Sequence, residues 1–191
     1  MGLPPEPGNI AKRKPLRLRN YDYSTPGMYF VTICAAHNAA VFGHIVEATM
    51  QLTHLGAIAQ DCWLAIPQHT PTVELDQYVV MPNHMHGVLK LLPIPMQEKQ
   101  LGVALSTIIN LYKSTVTRLN NNTSGKTGLV LWQRGYYEHV VRGEEDLYRI
   151  REYIATNPLR WMLDRENPQR TSADEFDIWL KREYGKRPGS N

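Results

Sequence analysis

The chain predicts an α+β fold, a ferredoxin-like antiparallel sheet with a ββαββα core, helices on one face, and an extra strand and C-terminal helices appended. Three observations carry that expectation. Short β-prone runs come in pairs joined by brief polar connections, as hairpins do. Between the pairs lie longer segments whose apolar residues recur at helical spacing. Strands in pairs with intervening helices favour an antiparallel sheet covered by helices.

The elements follow in order. Residues 1–20, with Pro4, Pro5, Pro7 and Pro15, read as an extended arm that leads into a turn at Ser24-Thr25-Pro26-Gly27. Tyr29 to Cys34 is a compact β-prone run, and Val41 to Val46 follows as its hairpin partner. From Thr53 to Ile66 the residues Leu55, Ile58, Ala59, Cys62, Leu64, Ala65 and Ile66 give helical spacing, with Thr53 as N-cap and Pro67 as the stop. Val73 to Val80 and His84 to Leu92 are two further strands joined near Met81-Pro82-Asn83. A second helix spans Leu105 to Asn122, with Ile108, Ile109, Tyr112, Val116 and Leu119 on one side and Lys113 and Arg118 exposed. After a polar loop over 120–128, Leu129 to Trp132 and Tyr136 to Arg142 are extended. A third helix opens behind Gly143 with Glu144, Glu145 and Asp146, acidic residues suited to a helix N-terminus. Phe176, Trp179, Leu180 and Tyr184 mark a short helix that docks near the C-terminus, with fraying beyond.

Composition narrows the class. The 191 residues are 42% hydrophobic and 20% charged, which suits one soluble globular domain with a real core. The chain lacks a bilayer-length apolar stretch and the apolar core of a signal peptide, so a cytoplasmic protein is expected, with no membrane partner. Cys34 and Cys62 show no metal-like spacing and read as reduced, buried small hydrophobes. The formal net charge is +3, but residues 1–20 carry Lys12, Arg13, Lys14, Arg17 and Arg19 against Glu6 alone, so the arm is +4 and the remainder −1. A basic arm before a near-neutral domain suits a polyanion; it equally suits a solvated terminus.

His84 and His86 are separated only by Met85 inside an apolar strand. Side chains alternate along a strand, so both imidazoles lie on one face about 7 Å apart, as metal ligands or as polar groups on a solvated face. On the third helix, Leu147, Ile150 and Ile154 define the buried stripe. Tyr153 and Asn157 fall together at its edge, one turn apart. Alone they read as a packing tyrosine and a helix terminator before Pro158. Sharing a site with two histidines, they become an amide ligand and a candidate phenol nucleophile.

With these residues in view, the chain resembles the HUH single-tyrosine transposases, specifically the REP-associated tyrosine transposases. The similarity runs from about residue 17 to 161, over Tyr21-Asp22-Tyr23-Ser24, Pro26-Gly27, Tyr29 to Cys34, Val79 to Gly87, Trp132-Gln133-Arg134, Tyr136 to His139, Tyr153-Ile154 and Asn157-Pro158. The resemblance implies a catalytic domain over 21–164, followed by a C-terminal helical extension and tail over 165–191. It implies His84, His86 and Asn157 as metal ligands and Tyr153 as nucleophile, with Glu138 and His139 as possible accessory residues. The implied reaction cleaves and rejoins single-stranded or hairpin DNA through a 5′-phosphotyrosine, without a nucleotide or organic cofactor. The implied cofactor is a divalent metal, Mg²⁺ or Mn²⁺, although two imidazoles suit Mn²⁺ or Zn²⁺ better than Mg²⁺. Palindromic DNA targets make Lys12, Arg13, Lys14, Arg17, Arg19, Lys113, Arg118 and Arg134 the candidate phosphate contacts. Relatives of this kind are bacterial, associate with the nucleoid when bound to DNA, and occur as a monomer or homodimer. Two alternatives are a hairpin-DNA-binding regulator without turnover and a metal-dependent nuclease that activates water.

Overall fold

The computed structural model of the chain describes residues 25–94, 103–125, 128 and 130–185. Its centre is a four-stranded antiparallel sheet formed by β1 (Gly27–Cys34), β4 (Val73–Val80), β5 (His84–Leu91) and β6 (Tyr137–Val141), in the order β4-β5-β1-β6. The first crossover between sheet strands carries α1 (His54–Leu64) and α2 (Ile66–His69), and the second carries α3 (Leu105–Ser124). The sheet is therefore wound β-α-β-β-α-β, the ferredoxin-like connection, and α4 (Glu144–Thr156) and α5 (Glu175–Gly185) follow it.

Three details differ from the sequence expectation. The Val41 to Val46 run does not pair with β1; its ordered part, β2 (Gly43–Val46), forms a separate hairpin with β3 (Thr49–Leu52). The connecting pair Glu47 and Ala48 adopts φ of 47° and 60°, the left-handed values that a two-residue hairpin turn requires. Neither residue type announces that turn, so β3 went unseen. Pro67 does not stop α1, which ends at Leu64; the proline instead occupies the first turn of α2, where its missing N–H costs no hydrogen bond. Helices also cover both faces of the sheet rather than one.

That last difference follows from the strands. On one face Tyr29, Val31 and Ile33 of β1 and Met85 and Leu89 of β5 pack against Ala59 and Trp63 of α1 and Ile108, Ile109, Tyr112 and Val116 of α3. On the other, Phe30 and Val88 meet Leu147, Ile150, Tyr153 and Ile154 of α4 and Phe176 and Leu180 of α5. A strand buried on both sides loses polar alternation, and seven of the eight residues of β5 are indeed buried. Gly87 belongs to this arrangement. A Cβ there would lie 2.3 Å from the ring of Trp63, so glycine lets the indole lie directly on the strand that carries the histidines.

The capping expectations hold where they are local. Thr53 accepts a hydrogen bond from Gly56 N at 3.1 Å and caps α1. Asp146, in the first turn of α4, accepts from Arg142 N at 3.0 Å. Cys34 and Cys62 form no disulfide and are half-buried rather than sealed in the core. Among the described residues no helix is long and apolar enough to cross a membrane.

Candidate active site and metal centre

Strand alternation puts His84 and His86 on the α4 side of β5, with Met85 on the opposite side. Register then supplies their supports. Thr32 lies opposite His86 on β1, and its Oγ1 is 2.9 Å from His86 Nδ1. The side-chain amide of Asn83 donates to Glu166 O at 2.7 Å and to Asn38 O at 3.3 Å, which leaves its Oδ1 to accept from His84 Nδ1 at 2.8 Å. Both rings are thus held through Nδ1, and Phe30 stacks on His86 at 5.4 Å between centroids.

The consequence appears at the other nitrogens. The two Nε2 atoms approach to 2.9 Å. With Nδ1 protonated toward Asn83 and Thr32, two Nε2 lone pairs face the same small space, an arrangement that a cation satisfies. Burial holds His84 down to about 4, with the charge of Asp164 opposing, and it lowers His86 in the same sense. Both imidazoles are neutral near pH 7, the form that binds metal.

Helix α4 brings two residues to this space. Tyr153 and Asn157 are one turn apart, and Tyr153 Oη lies 3.2 Å from His86 Nε2. Both also converge on one oxygen of Asp164: Tyr153 donates to Oδ2 at 3.0 Å and Asn157 Nδ2 at 2.8 Å. Asp164 Oδ2 is 3.7 Å from Nε2 of each histidine, so two imidazoles and a carboxylate offer ligand atoms within 4.8 Å of one another. Burial works to raise the carboxyl of Asp164, whereas the imidazoles, when they carry a proton toward it, and the Asn157 amide work to lower it. Asn157 is fully buried, and its Oδ1 has no hydrogen-bond partner. Two imidazoles and a carboxylate are a donor set that fits a divalent cation, and the buried Asn157 amide oxygen is an acceptor left unpaired.

The site is closed. His84, His86, Tyr153 and Asp164 are each at most 3% exposed. Phe176 of α5 lies flat on Tyr153, with centroids 3.9 Å apart and planes 9° apart. Burial, followed by the negative charge of Asp164, raises the phenol well above its ordinary value near 10.

The four principal residues expected from the sequence, His84, His86, Tyr153 and Asn157, therefore meet in space. The others fare differently. Glu138 stands opposite Val31, hence on the α1–α3 face away from the histidines, and is not brought to the site. His139 shares the site's face but turns its Nε2 to Asp146 Oδ2 at 2.9 Å, tying β6 to the start of α4. Lys113 is not free on α3; it donates to Gln133 O at 2.7 Å and Gly135 O at 2.9 Å and holds the loop that carries Arg134. Arg118 and Arg134 are exposed, and Arg118 lines an open groove on α3 with Asn110, Thr117 and Trp132. Lys12, Arg13, Lys14, Arg17 and Arg19 lie outside the described residues.

Sequence reasoning missed Asp164. It follows the short helical turn Trp161–Leu163, and its Oδ1 accepts from Glu166 N at 2.7 Å. No helical or strand period links it to Tyr153, and an aspartate in a polar run reads as surface. Only the tertiary return of this segment toward β5 reveals it.

Residues 64–157, which hold all four principal residues, match the family described as "Transposase IS200 like". An uncharacterized protein of Haemophilus influenzae is 36% identical over 170 residues, spanning 82% of this chain and 93% of its own. A second protein of that organism, assigned to the REP-associated tyrosine transposases, is 22% identical over 149 residues, 75% of this chain and 77% of its own. The solved structure of a REP-associated tyrosine transposase bound to a REP hairpin superposes with a TM-score of 0.54 at 20% identity, over 76% of this chain and 73% of that one. Its likeness is one of fold. Residues 64–157 thus carry the match to the IS200-like transposase family, and a REP-associated tyrosine transposase is among the relatives of the chain.

Proposed function

We propose that this transposase cleaves and rejoins single-stranded hairpin DNA through Tyr153, with a divalent cation held by His84, His86 and the side chains beside them. The observation that carries the reading is the placement of Tyr153 Oη, 3.2 Å from His86 Nε2, at the point where both imidazole Nε2 atoms face one another. A nucleophile at the rim of a cation pocket is what phosphodiester transfer needs.

In the transfer, a bond forms between Tyr153 Oη and phosphorus while the bond from phosphorus to the 3′ oxygen breaks. The phenol loses its proton and the 3′ oxygen departs as a hydroxyl. Rejoining reverses both changes, and the phosphotyrosine conserves the bond energy, so the chemistry requires no nucleotide cofactor. When bound, the cation would supply positive charge to the scissile phosphate and lower the cost of ionising the phenol. Asn83 and Thr32 fix the imidazoles through Nδ1, and Phe30 holds the plane of His86. Exposed Arg118 and Arg134, together with the basic arm, supply phosphate contacts that position DNA without reading its sequence.

One observation favours a second reading, a hairpin binder without turnover: Tyr153 is sealed beneath Phe176. A single experiment separates the two. Purified protein is incubated with Mn²⁺ and a pool of hairpin single-stranded DNAs, and covalent adducts are sought by denaturing electrophoresis. Wild type should give an adduct, and Tyr153→Phe should give none while retaining hairpin affinity. Binding without adduct in the wild type under every divalent ion would favour the regulator, and an adduct surviving in Tyr153→Phe would remove Tyr153 from the role. Free product ends with no trapped protein would instead indicate water as nucleophile.

A further inference from the structure

The pocket between the histidines has a third wall that the tyrosine helix does not provide. His84 Nε2, His86 Nε2 and Asp164 Oδ2 form a triangle with sides of 2.9, 3.7 and 3.7 Å. Its circumcentre lies about 2.0 Å from each corner, within the range of metal–nitrogen and metal–oxygen bonds to a small divalent ion. The carboxylate is also oriented as ligands are. Glu166 N holds Oδ1 at 2.7 Å, so Oδ2 is the oxygen presented to the imidazoles. Asn157, the residue expected to complete the ligand set, turns its Nδ2 to that same oxygen and leaves Oδ1 unpartnered in the protein interior.

Resting on the reading that His84 and His86 hold a divalent cation, we propose that Asp164 is a further ligand of that cation. The ion then joins strand β5 to the segment that returns after α4. The donor set becomes two imidazole nitrogens and a carboxylate oxygen, with the Asn157 amide oxygen at the border. Such a set selects Mn²⁺ or Zn²⁺ over Mg²⁺, whose preference is for oxygen ligands and retained water. An ion seated there ties residues 158–174 to the sheet, because Asp164 lies within that segment.

The test uses the full chain and metal alone, without DNA. Mn²⁺ binding is followed by loss of the free-ion electron paramagnetic resonance signal in wild type, Asp164→Asn and His84→Ala, each checked for native circular dichroism. Wild type should bind one ion, His84→Ala should lose it, and Asp164→Asn should weaken it at least tenfold. Mn²⁺ should also slow hydrogen exchange over 158–174 in wild type and not in Asp164→Asn. Wild-type affinity in Asp164→Asn, with binding lost in His84→Ala, overturns the Asp164 assignment and leaves the histidine site standing. Undiminished binding in His84→Ala, or no binding in wild type, overturns both. If Asp164→Asn does not fold, anomalous diffraction from wild-type crystals soaked in Mn²⁺ decides: an ion within bonding distance of Asp164 Oδ2 supports the proposal, and an ion remote from that oxygen refutes it.

Discussion

At the residue scale, the histidine pair is held in the neutral form by burial, and this makes stability depend on pH. The unfolded chain takes up a proton on His84 below about 6.5, whereas the folded chain resists until about 4. Between those values the unfolded state binds more protons, so stability should fall as pH falls through the window, by about 3 kcal/mol at most for a shift of this size. Asp177 acts the other way, because burial raises its carboxyl to about 6 and favours the folded state on the acid side. The His84 contribution is isolated by comparing Tm from pH 7 to 4.5 in chelator for wild type and His84→Gln. The wild-type curve should drop more steeply, and parallel curves would show that His84 titrates normally. The residues of this site were unevenly legible. His84, His86, Tyr153 and Asn157 each carry a local period, two along a strand or four along a helix, that survives in the sequence. Asp164 has no period relating it to them, and the meeting of its carboxylate with four side chains, His84, His86, Tyr153 and Asn157, is a tertiary fact.

At the element scale, helices and long strands were readable because each buries a continuous stripe, as α3 does with Ile108, Ile109, Tyr112 and Val116. The β2–β3 hairpin was not, because Glu47 and Ala48 lack the glycine or asparagine that signals its turn. Nor could the position of α5 be read. Its Phe176 and Leu180 show an apolar stripe, but the partner of that stripe is Tyr153 itself together with Phe30 and α4. The helix therefore buries the proposed nucleophile, and Phe176 is the ring in direct contact. Phe176→Ala should expose the phenol, read as faster iodination of Tyr153 by mass spectrometry, with faster adduct formation on hairpin DNA. Leu180 remains to hold α5, so the fold should persist with a lowered Tm. An unchanged rate of Tyr153 iodination would show that the ring does not limit access.

At the scale of the whole molecule, all parts of the proposed site come from one chain. Tyr153 reaches His86 of its own sheet, and the segment after α4 packs back through Asp164 and Phe176. A tyrosine helix exchanged between subunits would have to break three contacts with its own sheet: Tyr153 with His86, Tyr153 with Phe30, and the ion pair between Arg151 and Asp76 that joins α4 to β4 at 2.6 Å. Cleavage should accordingly proceed in cis. The check is complementation: Tyr153→Phe and His84→Ala are each inactive in adduct formation, and mixing them should restore nothing. In a site shared between subunits, one mixed interface would pair an intact tyrosine with intact histidines, and adduct would return on the protein carrying His84→Ala. Adduct on that protein would show that Tyr153 leaves its own sheet in the active state, even though the closed structure holds it there.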